Sequence, residues 1–209
     1  MKRSCRELLR AALTRATAWT NIARSHPVGR HGESFELNLD RAHRVRIRPL
    51  READRDRYVT AVAALSPRSR YLRFASPQPK LTKHQVDLMM RVDGEHHVAY
   101  AALTPDEAVL LGVARYIRAG DNADVAEVAI AVADDWQRRG LGRILLSRLI
   151  DHARSANLER LVAMILGENR AAAELSRAVG FGFTGRDGFF ALYEMPFRRQ
   201  RAFAPRAPA

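Results

Sequence analysis

The residues that point most directly to chemistry form a short glycine-rich stretch between Gln137 and Gly142. It reads Gln-Arg-Arg-Gly-Leu-Gly and leads into a segment with the apolar spacing of an amphipathic helix. The N-terminus of a helix has about four N–H groups without partners and the positive end of the helix dipole. Glycines let an anion approach the backbone closely, and Arg138 and Arg139 add positive charge. The stretch therefore predicts a diphosphate-binding site.

Two common nucleotide-binding loops do not fit this stretch. The chain contains no GxxxxGK[ST] sequence, and the dinucleotide pattern GxGxxG requires a third glycine where Leu145 stands. We therefore expect a phosphate-containing ligand other than ATP or NAD. The alternative is a strand-to-helix turn at the surface that binds no ligand.

A single carboxyl group, that of Glu127, lies within the apolar stretch 125–132 that precedes the loop. This stretch is rich in β-branched residues and is predicted to form a short buried strand. Burial raises the pKa of a carboxyl group, so Glu127 is a candidate general base. The alternative is a carboxylate that faces solvent or pairs with an arginine. Weaker candidates for the base, expected in loops and turns, are Glu95, His96, Asp134 and Asp135.

The elements that must position these residues are a mixture of strands and helices. Strands are predicted at 44–50, 97–103, 109–118, 125–132 and 160–166, with a closing hairpin of 181–184 and 189–195 across Arg186-Asp187-Gly188. Helices are predicted at 54–65, from Ser66 onwards, at 82–92, from Leu141 onwards and at 170–179. This order predicts an α/β (α+β) fold: a single domain with a mixed, mostly antiparallel sheet flanked by helices.

Three motifs follow one another along the second half of the chain. Gln137, Gly140 and Gly142 form the pattern [QR]-x-x-G-x-[GA], Asn169 follows the strand at 160–166, and Gly180-Phe181 precedes the closing hairpin. In this order and spacing they resemble the acetyl-CoA signature, the asparagine-containing strand–helix junction and the closing Gly-Phe of the GNAT superfamily of N-acetyltransferases. The resemblance covers about residues 44–195.

The GNAT resemblance implies acetyl-CoA as co-substrate, no metal, and Glu127 as the general base. It also implies that two strands splay apart beside the cofactor, and that a backbone N–H near Val132 stabilises the developing oxyanion. The cofactor contacts assigned in this way are Ile130, Val132, Gln137, Arg138, Arg139, Gly140, Leu141, Gly142, Arg143 and Asn169. Many family members have a tyrosine acid where Ser176 stands, so that role is not transferred.

A second resemblance concerns the acceptor. Residues 65–74 read LSPRSRYLRF and resemble a stretch of bacterial protein lysine acetyltransferases, which implies a protein lysine side chain as acceptor. Ser66 is expected to cap a helix with Pro67 at its first position. Its apolar residues are expected in the core: Tyr71, Leu72 and Phe74. The alternatives are acetylation of a small amine, such as a polyamine or antibiotic, and a non-catalytic module that senses CoA.

The formal net charge of +12 is concentrated at the two ends of the chain. Residues 1–48 carry +7, residues 196–209 carry +4, and residues 49–195 carry only +1. Basic tails can attract nucleic acid or acidic partners, although they can equally be solvated. Nucleic acid is therefore not expected as the main partner.

These boundaries divide the chain into three parts. We expect a basic, flexible N-terminal arm over 1–43, an acetyltransferase domain over 44–195, and a basic Pro/Ala-rich tail over 196–209. The first 24 residues are rich in arginine and resemble a transit peptide. Because the family likeness is to bacterial proteins, an arm is the favoured interpretation.

Composition bounds the remaining function classes. The single cysteine, Cys5, rules out a disulfide framework and favours a reducing compartment, so a cytoplasmic location is expected. No apolar stretch approaches the ~20 residues that a membrane span needs. The seven histidines show no metal-ligand spacing, so no metal site is expected.

Overall fold

The computed structural model describes residues 34–76, 80–119 and 124–197, and within these ranges the chain forms one sheet with helices on both faces. The strands are β1 (Phe35–Asn38), β2 (Arg44–Pro49), β3 (His97–Leu103), β4 (Leu110–Arg118), β5 (Val125–Val132), β6 (Arg160–Leu166), β7 (Gly182–Asp187) and β8 (Phe190–Pro196). The helices are α1 (Arg55–Ala64), α2 (Pro67–Phe74), α3 (Lys83–Met90), α4 (Leu141–Ser155) and α5 (Arg170–Ala178), with 3-10 turns at Glu52–Asp54 and Asp134–Trp136.

The order of the strands across the sheet is β1-β2-β3-β4-β5-β6-β8-β7. Strands β5 and β6 run parallel, and every other neighbouring pair is antiparallel. The parallel pair follows from the connection through α4, because a parallel crossover needs a long linking segment. The mixed, mostly antiparallel sheet flanked by helices is therefore confirmed.

Two hydrophobic cores lie on opposite faces of the sheet. Helix α4 packs on one face, where Leu141, Leu145 and Leu149 recur at helical spacing and are fully buried. Helices α1 and α3 cover the other face with residues such as Tyr58 and Val86. Since side chains alternate along a strand, neighbouring residues of β3 and of β4 serve different cores.

The N-terminal boundary differs from the sequence expectation, because β1 lies within the segment assigned to an arm. Phe35 pairs with Ile47 of β2, and Glu36 forms ion pairs with Arg44 and Arg46. With four residues and no buried side chain, β1 has a weak sequence signal. The sheet therefore begins before residue 44. Residues 1–33, including Cys5, and residues 198–209 lie outside the described ranges, so the arm and the tail remain expectations.

The closing hairpin turns later than the sequence suggests. Strand β7 continues through Arg186 and Asp187, and Asp187 pairs with Phe190. The turn is made by Gly188 and Phe189, with Gly188 in the left-handed region at φ 56°. The Asp-Gly signal therefore locates the hairpin, but Asp187 is its last ladder residue rather than part of the turn.

Helix α2 also differs from the expectation. Ser66 caps it and Pro67 is its first residue, as predicted. However, Leu72 and Phe74 are only partly buried and Tyr71 is 37% exposed, so none of the three lies in the core. In the described part of the chain no helix has the length and apolar character needed to cross a bilayer.

Candidate functional site

A gap opens in the sheet where β5 and β6 diverge. The two strands pair only from Val125 to Glu127 on β5 and from Arg160 to Val162 on β6. Beyond these residues the strands border a cavity of about 1600 Å³. Ligand pockets are typically about 300–1,000 Å³, so this cavity is larger than a typical pocket for one small ligand. The splay implied by the family resemblance is present.

The backbone of β5 supplies hydrogen-bonding groups to this gap. Ala133 N–H donates to the Leu111 carbonyl at 2.8 Å, at the end of the β4–β5 ladder. Because successive residues of an edge face opposite sides, the N–H groups of Ile130 and Val132 face the gap. The Val132 carbonyl accepts a bond from Gln137 Nε2 at 3.0 Å, which agrees with this direction. Ile130 and Val132 both line the cavity.

The glycine loop forms one end of the cavity. Gly140 is the N-cap of α4 and has φ +85°, a left-handed conformation that glycine adopts without strain. The Gly140 carbonyl accepts a bond from Ile144 N at 3.2 Å. The N–H groups of the three residues between them therefore have no carbonyl partner in the first turn of the helix. A Cβ atom on Gly142 would lie 3.1 Å from the Leu175 side chain, so the chains approach closely there.

The predicted cofactor residues fall into two groups. Those that line the cavity are Ile130, Val132, Gln137, Arg138, Gly140, Gly142, Arg143 and Asn169. The Gln137 amide donates to the Val132 carbonyl, which closes the loop, so this side chain shapes the site rather than reaching into it. The Asn169 side chain caps α5 by accepting a bond from Ala172 N at 3.1 Å.

Two predicted cofactor residues do not present their side chains to the cavity. Arg139 turns towards the β1–β2 connection, with its guanidinium 3.6 Å from Asp40 and over the Trp136 ring. Leu141 is fully buried in the core under α4, so only its backbone can contribute. Both residues were assigned from the signature, which does not show the direction of a side chain.

Glu127 lies where the gap begins, since it is the last β5 residue that pairs with β6. Its neighbours Ala126 and Val128 belong to the core beneath α4, so its side chain is on the opposite face. It is partly buried and lines the cavity. Loss of solvent raises the pKa of Glu127 above its ordinary value, and the nearby Arg73 guanidinium partly opposes this rise. The direction of this shift agrees with the raised pKa that the sequence predicts for Glu127.

A carboxylate that the sequence places in the turn, Asp134, joins the loop region to α2. It accepts bonds from Ser66 N at 2.8 Å, from Ser66 Oγ at 3.0 Å and from Ser69 Oγ at 2.5 Å. Burial by itself raises the pKa of Asp134, but these bonds hold it below the usual value. Asp134 therefore helps to fix the position of α2, and with it the positions of Arg73 and the other cavity-lining residues of that helix.

Two ionisable residues of the cavity wall were missed by the sequence reasoning. Arg115 in β4 and His97 in β3 are both buried, and both line the cavity. Arg115 Nη1 donates to the Met89 carbonyl at 2.6 Å and lies 3.2 Å from His97 Nε2. Burial, helped by the Arg115 charge, lowers the pKa of His97 to about 3. The signal that identified Glu127, one charged residue in an apolar strand, also applies to Arg115.

The site has the features of a binding site for a ligand with a diphosphate group and an extended arm. The free N–H groups at the start of α4, together with Arg138 and Arg143, match a diphosphate. The gap-facing N–H groups of β5 match an extended amide-containing arm, which can add to a strand edge. Among the described residues no group of three His, Cys, Asp or Glu side chains could hold a metal ion.

Comparisons with known proteins agree with this geometry. The family model described as an acetyltransferase (GNAT) domain matches residues 44–182. An acetyltransferase of Pseudomonas aeruginosa is 33% identical over 152 residues, which cover 72% of this chain and 81% of that protein. The acetyltransferase Pat of Mycolicibacterium smegmatis is 31% identical over 134 residues, which cover 64% of this chain but only 40% of that larger protein.

Solved structures give the same result. The crystal structure of the GNAT domain of S. lividans PAT superposes with a TM-score of 0.75 and 25% identity, and the match covers 83% of this chain and 100% of that chain. A cAMP-binding acyltransferase from Mycobacterium smegmatis superposes with a TM-score of 0.57 and 24% identity. The match covers 96% of this chain and 55% of that one, and at this identity the likeness concerns the fold alone.

Proposed function

Because this chain belongs to the GNAT acetyltransferase family, we propose that it transfers an acetyl group from acetyl-CoA to a lysine side chain of a protein, with Glu127 as general base. Acetyl transfer is the activity of the family, whereas the acceptor and the base are specific to this proposal. The observation that carries it is the desolvated Glu127 carboxyl at the point where β5 and β6 separate.

The proposed donor-binding residues follow from the geometry of the loop and of β5. The first N–H groups of α4, with Arg138 and Arg143, would hold the diphosphate of the donor. The gap-facing N–H groups of Ile130 and Val132 would pair with its pantetheine arm. When bound, acetyl-CoA supplies an acetyl thioester, which an amine attacks. The backbone N–H of Val132 would stabilise the negative charge that develops on the acetyl oxygen as the amine attacks and the CoA thiolate leaves.

Glu127 would make the acceptor nucleophilic by removing a proton from its ammonium group. The unperturbed pKa of lysine is about 10.4, so the side chain is almost fully protonated at neutral pH and does not attack. A carboxylate whose pKa is raised by burial binds the proton more strongly than an exposed one. The proton would pass from the acceptor nitrogen to a Glu127 carboxylate oxygen, directly or through one water.

Three observations support a protein acceptor. The chain is similar to the acetyltransferase Pat of M. smegmatis and to the GNAT domain of S. lividans PAT, and its residues 65–74 resemble a stretch of bacterial protein lysine acetyltransferases. In this chain that stretch contains α2, which lies beside the cavity rather than in the core. Tyr71 on its outer side is exposed, so the helix offers a surface that an incoming polypeptide can contact.

The acceptor can be identified by incubating the protein with isotope-labelled acetyl-CoA, in one reaction with a bacterial proteome and in another with a panel of polyamines and amino-sugar antibiotics. Because acetyl-CoA also modifies lysines without an enzyme, Glu127→Gln serves as the matched control. The proposal predicts lysine acetylation that depends on Glu127. Modification of small amines alone would favour the small-molecule alternative, and CoA binding without acetylation would favour a sensing module.

A further inference from the structure

We propose that the acceptor end of the cavity binds a carboxylate carried by the acceptor close to its reacting amine, and that Arg73 and Arg115 recognise it. This inference rests on the proposed acetyl transfer but not on the acceptor being a protein. It is carried by two arginines of the cavity wall, Arg73 and Arg115, which belong to none of the ion pairs found among the described residues.

Arg115 is the more deeply buried of the two arginines. It is only 2% exposed and pairs in register with Ala129 of β5, two residues from Glu127 on the same face of the sheet. None of the ion pairs found among the described residues includes Arg115. Its guanidinium makes one bond to the Met89 carbonyl, one contact with a histidine nitrogen and one stacking contact with the Tyr58 ring. Its Nη2 atom is buried and has no hydrogen-bond partner within the described part of the chain.

An isolated buried cation is energetically unfavourable, and buried charges in proteins are usually paired. His97 cannot neutralise Arg115, because it carries no negative charge at any pH. Its pKa of about 3 keeps its ring neutral, so it acts only as a hydrogen-bond acceptor for the guanidinium. A negative group in the adjacent cavity would supply the missing counter-charge.

Arg73 places a second cation nearer the entrance. It lies in the last turn of α2, is partly exposed and lines the cavity, with its guanidinium over the Phe74 ring. Arg73, Glu127 and Arg115 all line the cavity, and the Arg73 charge lowers the pKa of both other groups. Arg73 is thus positioned to contact a carboxylate directly, with Arg115 behind it.

This arrangement selects against acceptors that carry only positive charge. A polyamine would bring further cations towards two arginines, and Glu127 is the carboxylate that shares a sheet face with Arg115. An acceptor with a carboxylate near its amine would instead balance the arginines while its ammonium group faces Glu127. Two sources have this chemistry: an acidic residue beside a lysine in a polypeptide, or the α-carboxylate of a free amino acid.

The test uses three peptides with one central lysine flanked by glutamates, by glutamines or by further lysines whose amines are blocked as trimethyl derivatives. A parallel set compares free amino acids with their α-carboxamides. Values of kcat/KM are measured by mass spectrometry. In whichever set is acetylated, we expect kcat/KM of the carboxylate-bearing substrate to exceed that of its neutral counterpart by about 10-fold or more. This is the scale of one charge-assisted contact. Equal rates for the carboxylate and neutral members would overturn the proposal.

Substitutions identify the residues that cause the preference for a carboxylate. Arg73→Gln is expected to abolish most of the discrimination, whereas Arg68→Gln, on the same helix but paired with Glu168, removes the same charge and should retain it. Arg115→Gln, verified as folded by circular dichroism, should also reduce discrimination. Preference that survives in both the Arg73 and Arg115 variants would contradict the assignment.

The outcomes separate this inference from the proposed function. If only free amino acids are acetylated and their carboxamides are poor substrates, the protein-lysine proposal fails while the carboxylate site stands. If all peptides are acetylated equally, the protein-lysine proposal stands while the carboxylate site fails.

Discussion

Ser66 and Asp134 join the acceptor-side helix to the turn that precedes the cofactor loop. Both the backbone N–H and the hydroxyl of Ser66 donate to the Asp134 carboxylate, at 2.8 and 3.0 Å. The same hydroxyl accepts a bond from Ser69 N at 3.1 Å and so caps α2. Gln137 of the cofactor signature lies 3.0 Å from the Val132 carbonyl and 3.3 Å from the Ser69 hydroxyl. One carboxylate therefore sets the position of α2 relative to the predicted phosphate site.

Asp134→Asn should weaken this connection without removing any group from the cavity. An amide presents one acceptor oxygen instead of two and carries no charge, so bonds from Ser66 and Ser69 are lost or weakened. We expect a stability loss of about 1 kcal/mol and an increase of several-fold in KM for the acceptor. Thermal unfolding and steady-state kinetics measure these effects. Asp135→Asn, at an exposed neighbouring position, is the control and should behave as the wild type.

Glu127→Gln should separate catalysis from binding. Loss of a general base typically lowers the rate by about 10²-fold or more, while CoA affinity should stay within a few-fold because the loop is unchanged. Since folding raises the pKa of Glu127, its carboxylate destabilises the fold above that pKa. The neutral amide should therefore raise the unfolding temperature at pH 7.5. Unchanged turnover in a mass-spectrometric acetylation assay would remove Glu127 from the role of base.

The pH dependence of kcat/KM should report the same carboxyl group. Activity is expected to rise with pH as Glu127 loses its proton, with an apparent pKa above the ordinary glutamate value because of burial. The Arg73 charge opposes this shift, so Arg73→Gln should move the acidic limb to higher pH. An acidic limb that stays in place in Arg73→Gln would show that another group controls it. Arg68→Gln again serves as the charge-matched control.

The strands that build the site were predictable, because apolar stretches rich in β-branched residues favour buried strands. The bounds of β5 and β6 coincide with their predicted ranges, 125–132 and 160–166. The divergence of β5 and β6 could be predicted only from the family resemblance, since it depends on how the surrounding elements pack against the two strands. Strand β1 was missed because four largely exposed residues depend on pairing and ion pairs for their structure.

Side-chain directions limited the prediction of the site itself. Arg139 matches the signature as well as Arg138 does, yet it pairs with Asp40, about a hundred positions earlier in the chain. Phe74 is as apolar as a core residue, but it lies at the edge of the second core, where it also lines the cavity and is only partly buried. The direction and burial of these side chains depend on tertiary contacts, which a local sequence pattern does not reveal.

Gly140→Glu should reduce the affinity for CoA by at least about 10-fold, because it adds a side chain and a negative charge beside the N–H groups that would hold phosphate. The left-handed backbone at φ +85° also disfavours any side chain, at a cost of about 1 kcal/mol. Gly188→Glu is the matched control, since Gly188 has φ +56°, equally open space and a position in the β7–β8 turn rather than at the start of α4. Calorimetric titration with CoA measures the difference. Equal affinities of the two variants would place the phosphate elsewhere.

Asp54→Asn should be the most destabilising of these changes. The Asp54 carboxylate is 1% exposed and accepts bonds from Arg48 at 2.7 and 2.8 Å. The substitution therefore removes the more deeply buried of the two carboxylates that pair with Arg48, the other being Glu107 at 2.7 Å. Loss of these charge-assisted bonds should cost about 1.5–3 kcal/mol, whereas Asp56→Asn on the exposed side of α1 should cost less than about 1 kcal/mol. Burial alone raises the pKa of Asp54, but Arg48 holds it below its ordinary value.

The contribution of Asp54 is therefore present above its unfolded pKa of about 3.9 and is lost as the pH falls through the lower folded value. In urea unfolding, the free-energy difference between wild type and Asp54→Asn should be full at pH 7 and should shrink on acidification below about pH 4. A difference that is equally large at pH 3 and pH 7 would mean that the loss comes from packing rather than from the charge of the Arg48–Asp54 pair.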